Sequence, residues 1–503
     1  MVYSFPDVHS FSIHSLAAEE AFCKLDAEIA KTQAYLCSLQ ALRNSLPPIA
    51  HIPIELLSTI FAHCPDDEDK TRFSISWVCR RWRDTALAMP ALWTDITVKN
   101  GENLALAKLL IERSRASNLS ISLASPNGGV LKTCLLALPR VQHFRLDMSS
   151  DPIFLEFYEE LLELFSRAAP LLSSLELIKF DFPQDRLLFS ASCPQLRSLV
   201  LQSCRMRSLP QFITPTLTSL HIKKIKSRNI IPQLLDILPS FQNLESLSIE
   251  HLSLVSVPTG LISLPRLSCL SVRHADCLAV FDFLGHFDVP RARVSVLWTG
   301  DIEEESVSEF LPALENYLFD KGFPVRHLKI HYNEDDHDYT IDFSTDLSNN
   351  RHSIELYVLE VDLANDTTLL VHSITPMAEL ESFTTTHLPE ATLQWLGRST
   401  TLKSVTLEWN SELVLDFISA IIVRPKHLLP GRKPFVSLKK LVLRGLRVDP
   451  NIIKTLYTAL ELHRRAGAGL DQLEFYNCSS IDRTRFVPPV NENVNILVSN
   501  WRL

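Results

Sequence analysis

The sequence predicts an α/β chain in which a short helical region precedes an irregular leucine-rich solenoid. Three observations carry this expectation. Apolar residues from Phe22 to Leu46 lie on a heptad, residues 52–93 hold apolar stripes and three of the seven tryptophans, and L-x-x-L-x-L recurs through the rest of the chain.

The 503 residues, 46% hydrophobic and 21% charged, supply ample core for one short domain plus a long array. Twelve glycines are far fewer than the average usage of roughly 7%, which argues against glycine-rich phosphate loops. A formal charge of −9 without clustered Lys and Arg predicts neither nucleic acid nor a membrane surface as partner. The ten cysteines contain no Cys-x-x-Cys pair, and only Cys269, His274 and Cys277 approach zinc-ligand spacing, without a second cluster. They read as free thiols in a reducing compartment. Met1 to Leu16 carry no leader pattern, and the longest apolar stretches, such as Leu413 to Val423, fall short of the roughly 20 residues that span a bilayer. An intracellular protein, cytoplasmic or nuclear, is expected, and the sequons at Asn118, Asn365 and Asn477 then read as chance matches.

Along the chain the first segment, residues 1–48, carries the heptad: Phe22, Ile29, Leu36 and Arg43 at one core position, Leu25, Thr32, Leu39 and Leu46 at the other. With two polar interruptions in under four heptads, a helix packed on the following domain is expected rather than a stable dimeric coiled coil. Pro47 and Pro48 end it.

Residues 49–98 form the second segment. Pro53 suits a first helical turn, and the helix it opens should run to about Cys64, with Ile54, Leu57 and Phe61 on one stripe and Leu56 and Ile60 on another. Pro65 and the acidic run Asp66 to Asp69 start the next helical stretch, where Ile75, Val78, Trp82 and Ala86 share a stripe. So short a unit can bury one stripe; the second needs the preceding helix, the array or another protein to cover it.

Residues 99–503 form the array. Clear copies of L-x-x-L-x-L begin at Leu196, Leu217, Leu244, Leu267, Leu402 and Leu438, weaker ones at Val141, Leu172, Val325, Leu380 and Leu470, with degenerate ones at Val294-x-Val296 and Ile354-x-Leu356. Steps of roughly 21 to 36 residues suit an irregular solenoid. Each copy predicts a short strand whose alternate residues point inward, so that Leu199 and Leu201 enter the core. Prolines 139, 194, 215, 239, 265 and 324 precede the strands, and Phe154–Ala168, Ile231–Leu238, Glu304–Phe319 and Asn451–Arg465 are expected helices. The asparagine that regular repeats place after the third leucine is mostly missing.

No phosphate loop, nucleophile elbow or H-E-x-x-H helix occurs, so neither catalytic residues nor cofactors are expected. The run from His331 to Asp338, rich in His, Asp and Glu, reads as a solvated acidic loop rather than a metal site. Outward positions of the strands line up His143, Arg145, His221, Lys223, Arg273, His327, Lys329, His331, Lys440 and Arg444, a surface able to receive an acidic or phosphorylated segment; Glu250, Glu408 and Glu474 interrupt it. Ile178, Val200, Val442 and Tyr476 are alternative apolar anchors for a protein target.

Taken in order, I-P-I-E-L-L-S-T-I-F from Ile52, W-V-C-R-R-W from Trp77 and A-L-W-T-D-I from Ala91 resemble the F-box, a three-helix module that binds the Skp-type adaptor of cullin-RING ubiquitin ligases. The resemblance covers residues 50–96, with Ile52 in place of the usual leucine. With the array behind it, the chain looks like the F-box and leucine-rich-repeat proteins of mushroom-forming fungi. It implies that Pro53, Leu56, Leu57, Ile60, Phe61, Val78, Cys79 and Trp82 meet the adaptor, and through it cullin and RING subunits, while Leu92 and Trp93 secure the module's tail. A horseshoe presenting a protein target is then expected, with His221, Lys223, Arg273, His327, Lys329, Lys440 and Arg444 as target contacts. A non-proteolytic scaffold that binds the same adaptor is the rival reading, and an enzyme hidden in the array a more distant one.

Overall fold

Alternation of buried and half-exposed residues sets the architecture: where every second side chain is apolar the chain is a strand, and the residues between strands turn or coil into helices. The computed structural model describes residues 18–64, 70–99, 104–149, 158–182, 188–191, 193–210, 212–225, 227, 230–251, 261–274, 277–289, 292–298, 325–333, 338–344, 353–358, 379–388, 390–422, 434–465, 467–480 and 495–499. The chain forms two compact units, Met1–Gln142 and His143–Leu503. The first reaches beyond the boundary expected at residue 98.

In the first unit, α1 spans Ala18–Ser45, and α2 (Ile54–His63), α3 (Lys70–Val78) and α4 (Arg80–Leu87) follow. A 3-10 turn over Pro90–Trp93 leads to β1 (Asp95–Lys99), α5 (Leu104–Arg113), β2 (Leu119–Ala124) and α6 (Gly128–Leu136). β1 and β2 pair in parallel, Ile96 opposite Ile121 and Val98 opposite Leu123, and all four side chains are buried. The Asn127 side chain accepts the Val130 N–H at 2.9 Å and caps α6. Arg140 holds the turn after α5. Its guanidinium donates to the Ile111 carbonyl at 2.7 Å, to Ser114 Oγ at 3.1 Å, to the Ser117 carbonyl at 3.2 Å and to the Arg115 carbonyl.

Two expectations for this unit are corrected. The stripe from Ile75 to Ala86 is not one helix: Cys79 is extended (φ −158°), and the break separates α3 from α4. Among the described residues α1 does not bury its apolar side chains on the following domain; Phe22, Leu25, Ile29, Leu36, Leu39 and Leu42 are exposed.

The second unit is built on one long ladder. Its strands are β3 (Val141–Asp147), β4 (Ser174–Ile178), β5 (Ser198–Gln202), β6 (Ser219–Lys223), β7 (Ser246–Glu250), β8 (Cys269–His274), β9 (Arg293–Trp298), β10 (His327–Asn333) and β11 (Asp338–Ser344). β12 (Ser353–Val358), β13 (Ser382–Thr385), β14 (Ser404–Glu408), β15 (Lys440–Arg444), β16 (Gln472–Tyr476) and β17 (Asn495–Ser499) complete it. From β3 to β9 each strand pairs in parallel with the next in sequence, as do β13 to β17. Between them the order inverts. β9 pairs with β12, β12 and β10 flank β11 in antiparallel fashion, and β10 pairs with β13. The copies at Val325 and Ile354 are therefore strands, as expected, but in exchanged places.

The inward residues of the ladder, such as Leu199, Leu201, Leu220, Ile222, Leu247 and Ile249, are buried. Strands β5, β6, β8 and β15 are approached through a tight turn: the Leu196, Leu217, Leu267 and Leu438 N–H groups donate to carbonyls three residues back. Pro194, Pro215 and Pro265 hold the second position of three of these turns, where their fixed φ is favourable. Seven strands, β4 to β7 and β14 to β16, are left through a left-handed residue, φ about +50° to +67°: Lys179, Ser203, Lys224, His251, Trp409, Gly445 and Asn477. The N–H groups of Lys179, Ser203 and Lys224 donate to the last carbonyl of the next strand at 2.8 Å, and that of His251 donates to the Arg273 carbonyl, one residue before the end of β8, at 2.7 Å, which extends the ladder by one bond before the chain turns away.

Helices α7 (Tyr158–Phe165), α8 (Ile230–Ile237), α9 (Cys277–Gly285), α10 (Glu390–Leu396), α11 (Glu412–Ile422) and α12 (Pro450–Arg465) lie between strands. They include three of the expected helical segments; the fourth, Glu304–Phe319, lies outside the described residues, as do positions 334–337 of the His331–Asp338 run. Cysteine replaces the missing asparagine in two repeats. Cys204 Sγ donates to the Leu177 carbonyl at 3.3 Å and Cys478 Sγ to that of Leu443 at 3.2 Å, each reaching the preceding strand.

Candidate functional site

The helical module exposes an apolar surface that its own core does not use. α2 packs on α4 through Phe61 and Trp82, whose rings lie 5.1 Å apart at 60°. Leu57 and Phe61 are 1% exposed, whereas Leu56 and Ile60, on the same helix, are 57% and 45% exposed. Spacing explains the split: Leu57 and Phe61 are four apart on one face, and Leu56 and Ile60 are four apart on the neighbouring one. Of the residues assigned to the adaptor by resemblance, Leu57 and Phe61 lie in the core of the module. Pro53 is exposed at the N-cap of α2, Cys79 and Trp82 are half-buried, and Val78, the last residue of α3, is 55% exposed.

Arg81 fixes how α2 begins, its guanidinium donating to the carbonyls of Ala50 and Ile52 on either side of His51. Trp93 is fully buried; its indole N–H donates to the Ala86 carbonyl at 2.9 Å, and Arg113 lies over its ring at 4.5 Å. Leu92 is half-buried beside Trp93. Two exposed apolar residues escaped the reading of the sequence. Ile54 was placed on the core stripe but is exposed, and Trp77, 72% exposed, is the larger.

The outward face of the ladder carries the second candidate surface. Parallel pairing brings its cations beside the glutamates that interrupt them. Lys223 Nζ is 3.0 Å from Glu250, Lys440 2.9 Å from Glu474, Arg444 3.1 Å from Glu408, Lys329 3.8 Å from the same carboxylate and Arg145 3.5 Å from Glu176. Arg444 also lies over the Tyr476 ring at 5.1 Å. His327 Nδ1 is 2.7 Å from Ser382 Oγ, and His221 Nε2 is 3.0 Å from Ser219 Oγ. Burial, with Lys223 beside it, lowers the His221 pKa. Arg273 is half-buried, its Nε without a hydrogen-bond partner.

At Lys223, Lys329, Lys440 and Arg444 the outward cations are thus paired with carboxylates, a mixed polar surface. An arriving phosphate would have to displace a carboxylate already in place at Lys223, Lys329, Lys440 and Arg444. Of the apolar anchors, Ile178 and Val442 are buried, and Val200 and Tyr476 are half-exposed. An open groove of about 620 Å³ lies along Arg326, Glu381, Lys403 and Lys439, where Lys403 and Glu381 meet at 3.0 Å and that bond holds the Glu381 carboxyl below its usual pKa. Among the described residues no group of three or more metal-ligating side chains converges, and no helix is long and apolar enough to cross a membrane. No protein-family model matches the chain, and no curated protein matches it.

Proposed function

We propose that the chain is the substrate-recognition subunit of an SCF-type cullin-RING ubiquitin ligase, in which residues 49–98 act as an F-box. The observation that carries this reading is the division of α2: Leu57 and Phe61 complete the module's core, while Leu56 and Ile60 remain exposed beside Pro53. With Val78, Trp82 and Trp77 they supply the apolar and aromatic anchors that a permanent protein interface uses. The docked partner is the Skp-type adaptor, which joins the chain to cullin and RING subunits inside the cell.

The parallel ladder is a leucine-rich solenoid, curved as a horseshoe, that holds a protein target. Ubiquitin transfer to that target then needs no reactive residue from this chain, because tethering raises the local concentration of the acceptor lysine. The paired state of Lys223, Lys440 and Arg444 favours a target that matches alternating charges over one that brings phosphate alone.

Co-expression with the adaptor tests the reading. The wild-type chain should co-purify with it, and Leu56→Glu with Ile60→Glu should abolish the complex without lowering the melting temperature. Absence of a wild-type complex, or an unimpaired double variant, overturns the assignment. Accumulation of target proteins in cells lacking residues 49–98 separates a degradative receptor from a scaffold.

A further inference from the structure

Helix α1 spans 28 residues, about 42 Å at 1.5 Å per residue, and most of its described side chains are exposed, with Ala21, Glu28 and Asn44 half-buried. Phe22 is 66%, Ile29 52% and Leu36 54% exposed, with Leu25, Leu39 and Leu46 also on the surface. A single helix without tertiary cover is marginal in water, so a stripe this long requires a partner. Its spacing specifies what kind. Apolar residues alternating at three and four form a seam of period 3.5, which another helix of the same period covers by knobs-into-holes packing.

The charges select the second helix and its direction. Lys24 pairs with Glu20 at 3.6 Å and Lys31 with Glu28 at 2.5 Å, whereas Asp26 and Arg43 have no ion-pair partner among the described residues. In a parallel pair Arg43 would face Arg43 across the seam, and the acidic first turns, Glu19 and Glu20, would lie together. An antiparallel pair removes both conflicts. It layers Phe22 on Leu46, Leu25 on Arg43, Ile29 on Leu39 and Thr32 on Leu36, and sets Arg43 of one copy beside Asp26 of the other. Thr32 tolerates the seam because its hydroxyl donates to the Glu28 carbonyl at 2.9 Å. Opposed helix dipoles add to the preference.

We propose that α1 pairs with α1 of a second copy of this chain as an antiparallel coiled coil, making the protein a dimer. This is independent of what the helical module binds. Sedimentation equilibrium of the full chain should give a dimer at micromolar concentration, and Leu36→Glu with Leu39→Glu should give a monomer. Asp26→Lys alone should weaken the dimer at least tenfold, and Asp26→Lys with Arg43→Glu should restore it. In a background of Cys23→Ser and Cys37→Ser, chains carrying Ile29→Cys should form a disulfide with chains carrying Leu39→Cys. A monomeric wild-type chain, or a dimer indifferent to the Leu36 and Leu39 changes, overturns the proposal. So does self-crosslinking of the Ile29→Cys chain, which requires the parallel arrangement, or failure of the charge exchange to restore pairing.

Discussion

Phe61 and Trp82 meet at 5.1 Å, and this contact is what leaves Leu56 and Ile60 on the outside of α2. Core and surface residues therefore separate cleanly by experiment. Phe61→Ala should destabilise the first unit by about 3–5 kcal/mol, the cost of deleting a buried aromatic side chain. Leu56→Glu should change stability by no more than about 0.5 kcal/mol. Urea denaturation followed by tryptophan fluorescence reads both; equal losses would mean that Leu56 is a core residue.

Arg140 gathers Ile111, Ser114, Arg115 and Ser117 around one guanidinium. Replacing it with alanine strands carbonyls in the turn after α5, and a loss of about 3 kcal/mol is expected. Arg140→Lys keeps the charge but not the planar fork, so about 2 kcal/mol should still be lost. Full recovery by lysine in the same denaturation assay would show that charge alone matters.

Gly445 has φ +67°, and a Cβ there would lie 2.6 Å from the Trp409 ring. Gly445→Ala should cost more than about 1 kcal/mol, partly from the left-handed backbone and partly from the collision. Trp409→Ala in the same chain should return the second part and not the first. Additive effects in that double-mutant cycle would show that the ring moves aside freely.

Burial pushes the thiols of Cys134 and Cys193 up to about 12 and that of Cys204 to about 11, against 9.0 unperturbed. In the folded chain at pH 8 iodoacetamide should modify the exposed Cys23 and Cys37 and spare these three, as read by mass spectrometry. The same shifts fix a pH dependence. An unfolded thiol loses its proton near 9 while the folded one keeps it, so the unfolded state binds fewer protons and stability falls as pH rises. The contribution is whole below pH 9 and is lost progressively toward pH 11 to 12. A melting temperature constant from pH 8 to 10.5 would contradict the burial of these groups.

Strand positions were legible because inward leucines must alternate: every clear L-x-x-L-x-L copy is a strand of the ladder. Their neighbours were less legible. Period-two patterning says which face a residue takes and nothing about which strand lies alongside, so the exchange of β10 and β12 left no mark at Val325 or Ile354. The break at Cys79 was hidden because Ile75, Trp82 and Ala86 keep helical spacing across it. Cys204 and Cys478 were readable in principle, each standing three residues after the last apolar residue of its repeat, where asparagine was sought. On the outward face, residue types were correct and their pairing was missed, because the glutamate that neutralises each lysine comes from another repeat.

The exchanged strands also govern assembly of the nascent polypeptide. As synthesis passes Trp298 the edge of β9 stands open, and the next strand made, β10, does not close it; the matching segment ends at Val358. At translation speeds of about 5–20 residues per second this bare edge persists for several seconds. That interval is when an unrelated extended chain, or a chaperone, has its best access to the unfinished sheet.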